Sequence, residues 1–296
     1  MAAPTLLAIP NVSEGRDAAV IAAIAAAYTG GSAATGPVHL LDVHSDPDHH
    51  RTVHTLAGPA GALADAVAAG AAAVIERVDI TGHAGTHPHI GALDVAPFVH
   101  LDDARRGAAC AEALVAAELL GRLGLPVLLY GALANGRRRA DLRRGGPLTL
   151  AQRLSTGDLR ADFGPQQPHP TAGAVLVAAR PPLVAFNVEL APPATLQDAQ
   201  RIAALIREGG EEGLPGLRAI GLTLPARDGV AQVSMNVEDH LAVPLATAVQ
   251  AVARHARVTG AELVGLAPAA AFDGFPPDVP VRNRRTVAEA LQVVGL

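Results

Sequence analysis

The sequence contains no lysine; all 23 of its Lys/Arg positions are arginine. That absence excludes Schiff-base catalysis, a pyridoxal-phosphate anchor and a phosphate-loop lysine. Tryptophan is also missing, and aromatic residues make up only 2% of the 296-residue chain, so its cores must be built from Ala, Val, Leu and Ile. Cys110 is the single cysteine, which excludes an intramolecular disulfide and a cysteine zinc cluster. It reads as a core residue of a helix. No basic stretch precedes an apolar run at the N-terminus, so no secretory signal is expected. No uncharged apolar run reaches the roughly 18 residues of a membrane span; Asp65 and Glu112 interrupt the best candidates. A formal net charge of -5 argues against general binding to nucleic acid or to anionic membranes. A cytoplasmic protein acting on small molecules is the expectation.

What is present suits a globular α+β protein. Half the residues are hydrophobic and 17% are charged, ample for buried cores, and a length-based prior suggests about two domains. Strands are predicted at 6–10, 38–43, 51–57, 93–99 and 127–130, and helices at 17–28, 60–76 and 103–120. The order is β-α-β-β-α-β with one helix–strand pair added, the split βαβ plan of ferredoxin-like folds. The second half repeats it: strands at 183–190, 217–224, 230–237 and 262–266, helices at 195–207 and 243–257, and a terminal helix at 286–294. Thr195 is the expected N-cap of the first of these helices. Residues 145–171 read as poor for either helix or central strand, and 272–282 as loop. The boundary is placed at Pro181–Pro182, giving two ferredoxin-like subdomains, 1–181 and 182–296, with a ligand cleft expected between them.

The richest chemistry lies in residues 79–98, D-I-T-G-H-A-G-T-H-P-H-I-G-A-L-D-V-A-P-F. His83 and His87 have helical chelating spacing, but Gly82, Gly85 and Pro88 argue for a loop at the mouth of a strand. With His44, His49, His50 and His89 these imidazoles admit three readings. One histidine acts as general acid/base, or several hold a metal, or they are ordinary surface and core histidines. Arg51 and the cluster Arg137, Arg138, Arg139, Arg143 and Arg144 could recognise carboxylates, although a solvated basic helix end is the plainer reading of most of the cluster.

Several segments together resemble glutamate formiminotransferase. They are I-P-N-V-S-E-G-R at 9–16, L-L-D-V with R-T-V within 40–53, H-P-H-I-G-A-L-D-V-A-P-F at 87–98 and V-L-L-Y-G at 127–131. A-D-F-G-P at 161–165, F-N-V-E-L at 186–190, Q-V-S-M-N at 232–236 and E-L-V-G-L at 262–266 continue the series in order. The likeness is to the transferase part of formiminotransferase-cyclodeaminase, without the cyclodeaminase domain. It implies transfer of a formimino group from N-formimino-L-glutamate to N5 of tetrahydrofolate in histidine degradation. It also implies a homodimer, tetrahydrofolate as cosubstrate and no metal. The family's catalytic histidine falls on His87. Its folate-binding stretch falls on Gly164, Pro165, Gln166, Gln167, Pro168, His169, Pro170, Thr171, Ala172 and Gly173.

The chemistry suits these residues. Attack of N5 on the formimino carbon makes a tetrahedral centre, and one group titrating near neutrality can move the protons. Asn11, His44, Arg51 and Arg139 are assigned to folate or substrate binding, the arginines as carboxylate partners. Asp42 and Asp94 are assigned to catalysis, stabilising the amidine or orienting His87; Asp94 could equally cap local backbone. The sequence departs from the family pattern at His44, His50, His89 and 143–149. Those departures leave open a folate-dependent paralogue that uses another formimino or formyl donor or cyclises 5-formyltetrahydrofolate. From other classes, a metal-dependent hydrolase built on the histidines and a non-catalytic folate-binding protein are the alternatives.

Overall fold

A computed structural model describes residues 5–31 and 36–296. The chain forms two compact units that divide between Pro181 and Pro182.

The first unit begins with β1 (Thr5–Ala8) and β2 (Asn11–Val12), one strand path interrupted at Pro10, which has no N–H to pair. There follow α1 (Ala18–Thr29), β3 (His39–Asp46), β4 (Arg51–Pro59), α2 (Leu63–Arg77) and β5 (Leu93–Val99). Then come α3 (Arg106–Arg122), β6 (Val127–Leu129), α4 (Arg139–Leu142), α5 (Gly146–Thr156) and β7 (Val175–Arg180). β3 and β4 form an antiparallel pair, β4 pairs with β1 and β2, and these pair with β5, all antiparallel. That is the split βαβ arrangement. β7 and then β6 extend it in parallel beyond β5.

Amphipathic patterning sets the two faces of this sheet. Ile24 and Tyr28 of α1, Val67 and Val74 of α2 and Ala113 and Leu120 of α3 cover Leu6, Val12, Leu56 and Phe98 on one face. Asp17 caps α1, accepting from Ala19 N at 2.9 Å and Val20 N at 3.0 Å. On the other face Leu142, Leu150 and Leu154 of α4 and α5 pack with Val95, Leu128, Tyr130 and Leu176.

α4, α5 and β7 are absent from the elements expected from sequence. α5 forms within the stretch read as unfit for a helix because Pro147 sits in its first turn, where the missing N–H costs nothing. Gly145 and Gly157, both with positive φ, flank it. β7 is a buried parallel strand whose apolar run lacks alternation.

In the second unit β8 (Val184–Leu190), α6 (Leu196–Ile206), β9 (Leu217–Leu224), β10 (Val230–Val237), α7 (Leu245–Ala253) and β11 (Val258–Val264) repeat the split βαβ order. β12 (Val281–Arg282) adds in parallel to β11, within the segment expected to be loop, and α8 (Val287–Val293) follows. The sheet order is β12-β11-β8-β10-β9. Thr195 caps α6 in a capping box with Asp198, as its sequence predicts. β11 starts four residues before the predicted strand, with a register irregularity between Val258 and Gly260. Phe186, Val188, Val233 and Leu263 form this unit's core with α6 and α7.

Candidate active site

Alternation along the strands of the first sheet sends Val12, Leu56 and Leu93 into the helix-covered core and their neighbours to the opposite face. On that face lie Asn11 of β2, Arg51 of β4 and Asp94 of β5. Every residue of β5 is buried, so Asp94 is an acid set in an otherwise apolar strand, with no solvent-exposed surface. Such a carboxylate needs partners. Arg51 Nη1 donates to its Oδ2 at 2.8 Å, Arg143 Nη2 closes on the same oxygen, and Ile90 N donates to Oδ1 at 3.0 Å. Burial pushes the Asp94 carboxyl up, but Arg143 and Arg51 outweigh it and hold the group well below the usual carboxylate range. Arg51 also donates from Nε to Asn11 Oδ1 at 3.2 Å. Its own burial outweighs the pull of Asp94, and with Arg143 close by its pKa falls to about 10, so it stays charged at neutral pH.

Two arginines on one acid leave a net positive charge in an enclosed place. Arg139 adds to it: its guanidinium lies 5.8 Å from the centre of the Tyr130 ring, and it has no ion pair among the described residues. The Tyr130 hydroxyl is buried and has no hydrogen-bond partner among the described residues.

His87 reaches this centre from the loop before β5. Its Nδ1 is buried and has no hydrogen-bond partner among the described residues. Burial first, then the charges of Arg51 and Arg143, push its pKa well below 6.5 despite the nearby Asp94. The ring is therefore a neutral imidazole at physiological pH, able to take a proton and strongly inclined to give it up again.

The loop is tied down rather than free. Arg16 donates to Pro47 O at 2.9 Å and to Ala84 O at 3.0 Å, and Thr86 N donates to Asp48 O at 3.0 Å. A Cβ on Gly85 would run into the His49 carbonyl and the His83 and His50 side chains, so the close approach requires glycine. His49 and His50, adjacent in sequence, part company. His49 faces His87 with ring centres 6.1 Å apart, whereas His50 stacks on His83 at 4.4 Å. His83 in turn meets His89 edge-on at 4.3 Å. Among the described residues, no group of three or more His, Cys, Asp or Glu side chains is arranged to hold a metal ion.

The stretch from Gly164 to Gly173 joins the histidine loop at its far end. Ile80 N donates to Thr171 O at 2.9 Å, Ala92 N to Ala172 O at 2.9 Å, and Ala174 N to Ile90 O at 3.0 Å. His169 Nδ1 accepts from Ala172 N at 3.1 Å, folding Pro170 and Thr171 into a turn. Gly164, Pro165, Gln166 and Gln167 are exposed, and Pro168 is half-buried.

The expected site residues are not all gathered. Asp42 pairs with Thr55 and His44 with Val53 on β3, so they share the face of Arg51. Asp42 lies four positions along the strand from that arginine's level, about 13 Å away. The contacts of Asp94 and Arg51 bear on the roles expected of them, and the Ile90 N–H on Asp94 is the local backbone cap that the sequence left open. No hydrogen bond among the described residues joins Asp94 to His87, because the carboxylate is occupied by two guanidiniums and the Ile90 amide. Arg51 is committed to Asp94 and Asn11 and is not a free carboxylate partner. Arg143, read as one of a solvated cluster, is largely buried on Asp94. Tyr130 was not singled out. The signal available was Asp94 itself, an acid inside L-D-V-A-P-F-V, which demanded cations from elsewhere.

Comparison with known proteins agrees with the resemblance. The formiminotransferase domain, N-terminal subdomain, matches residues 5–180, and the formiminotransferase domain matches 185–273. A glutamate formimidoyltransferase of Streptococcus pyogenes serotype M1 is 38% identical over 274 residues, covering 89% of each chain. One from Thermoplasma acidophilum is 33% identical, covering 88% of this chain and 87% of its own. The formimidoyltransferase-cyclodeaminase of Sus scrofa is 36% identical over 88% of this chain, which spans 49% of that longer protein. With both halves matched and relatives of this closeness aligned nearly end to end, the chain belongs to the formiminotransferase family.

Proposed function

We propose that this protein is a glutamate formimidoyltransferase, carrying the formimino group of N-formimino-L-glutamate to N5 of tetrahydrofolate in histidine degradation. The observation that carries the reading is a neutral, enclosed His87 beside a buried centre with surplus positive charge. The reaction needs those two things in one place. N5 attacks the formimino carbon and a C–N bond forms; His87 takes the proton that N5 sheds and returns one to the glutamate nitrogen as the second C–N bond breaks. A positioned acid/base of this kind contributes roughly 10²–10⁴ in rate. Its low pKa favours the return step.

The surplus charge suits a dicarboxylate donor. With Arg51 committed to Asp94, Arg139 is the carboxylate partner, with the Tyr130 hydroxyl beside it. Asn11 holds Arg51 in place. Residues Gly164 to Gly173 take the folate; their backbone bonds to Ile80 and Ala92 support that assignment. Asp42 and His44, farther along the same face, would meet the more distant parts of the ligands. Tetrahydrofolate is a cosubstrate, and the reaction calls for no metal. We place the enzyme in the cytoplasm as a homodimer. No helix among the described residues is long and apolar enough to cross a membrane, and the lone Cys110 suits a reducing compartment.

A turnover assay with tetrahydrofolate and formiminoglutamate, following 5-formiminotetrahydrofolate, tests the reading. Absence of product with that pair, and product with a different formimino or formyl donor, would transfer the assignment to a paralogue. His50 and His89, which depart from the family pattern, lie at this site and favour making that comparison.

A further inference from the structure

The imidazoles of His50, His83 and His89 form a feature that acid/base chemistry at His87 does not use. Each ring is half-buried. His50 lies on His83 with centres 4.4 Å apart and planes 23° from parallel, and the His83–His89 pair meets at 4.3 Å and 65°. The three therefore make one continuous block of ring surface.

The block is uncharged. Burial and the neighbouring His89 and His50 lower His83 to about 4, and burial likewise lowers His50 and His89. His50 Nδ1 accepts from Gly15 N at 3.0 Å, so it carries no proton toward Glu14. Three cations at these separations would repel one another; three neutral rings pack as aromatics do.

The block is also rigid and well placed. Arg16, Thr86 and the close fit at Gly85 fix its loop. His89 is two residues beyond His87, and the charges of Asp94, Arg51 and Arg143 act on both rings. Of the Phe and Tyr residues in this unit, Tyr28 and Phe98 are buried in the helix-side core, Phe163 packs part-buried against the same core, and the Tyr130 ring is buried under Arg139.

We propose that His89, backed by His83 and His50, is the wall on which the flat conjugated part of the folate stacks beside His87, making it a specificity-determining residue for a ring-bearing acceptor. The inference rests on the folate-dependent reading above. A flat ring face suits it, because the pterin and aminobenzoyl groups are themselves flat and polarisable.

The test is equilibrium titration with tetrahydrofolate under anaerobic conditions, together with steady-state kinetics, on the full chain. His89→Ala is expected to weaken folate binding about tenfold, the size of a lost ring stack. The loss should fall on Kd and KM for folate far more than on KM for formiminoglutamate. His89→Phe restores affinity, whereas His89→Leu, of similar bulk but not flat, does not. If His89→Ala fails to fold, the Phe and Leu pair carries the same comparison. Equal folate affinity in the Phe and Leu variants, or unchanged affinity in His89→Ala, overturns the stacking role while the transferase reading stands. Failure of the unaltered protein to bind tetrahydrofolate overturns that reading and the inference with it.

Discussion

Arg51 Nη1 and Asp94 Oδ2 meet at 2.8 Å on a sheet face where the acid has no contact with solvent, and Arg143 claims the same oxygen. One negative charge thus answers two positive ones. The imbalance acts directly on His87, whose protonated form it disfavours. The site's electrostatics are set by residues that need not touch the substrate.

Removing one of the two cations should show this. Arg143→Gln is expected to raise the His87 pKa toward 6.5, since Arg143 lowers it. In the proposed mechanism His87 works as a base in its neutral form, so activity is expected above its pKa and lost as pH falls through it. The acid limb of kcat/KM should therefore move to higher pH in the variant. An unmoved limb would mean that His87 does not govern it. Arg51 remains to pair Asp94, so the variant should lose only about 1–2 kcal/mol of stability, the size of a hydrogen bond to a charged group.

His87→Gln should lower kcat by roughly 10²–10⁴ while tetrahydrofolate still binds. Full activity in this variant, measured alongside an unchanged melting temperature, would remove His87 from the mechanism.

Stability should itself depend on pH through His54. That ring is wholly buried against Tyr28, with centres 5.2 Å apart, and burial lowers its pKa from 6.5 to about 4. The unfolded chain takes up the proton first. Its contribution is complete above about pH 6.5 and falls as pH drops toward about 4, below which both states are protonated. The contribution is on the order of 3 kcal/mol. His83 acts in the same direction. Denaturant unfolding across this window should show a shallower slope in His54→Leu than in the unaltered protein.

Two glycines near the catalytic loop should respond differently to alanine. At Gly91 a Cβ would collide with the Ala174 carbonyl, whereas at Gly82 nothing lies within 4 Å. Gly91→Ala should cost about 2 kcal/mol or more and disturb the pairing with Gly173. Gly82→Ala should leave both the unfolding midpoint and turnover nearly unchanged.

Patterning exposed most of the fold and part of the site. Short apolar runs bounded by turn residues revealed β4, β5, β9 and β10, and the Thr195 hydroxyl marked the start of α6 because capping is local chemistry. α5 escaped because Gly145 and Pro147 look like breakers unless they stand at a helix entrance. At the site, His87 was singled out by the family resemblance rather than by patterning. The roles of Arg51, Arg143 and Asp94 depend on three segments converging, and no local pattern encodes that. The histidine doublet at His49 and His50 misled in the same way, since a turn with positive φ at His50 sends the two rings apart.

The hydrogen bonds from Ile80 to Thr171 and between Ala92 and Ala172 give the histidine loop and the Gly164–Gly173 stretch a common backbone. Neither can be lengthened, shortened or repositioned without the other giving way, so their spacing is under joint constraint. Ligand seated along Gly164 to Gly173 should be felt at Ile80 and Ala92, seen as slower amide-proton exchange at positions the ligand never touches.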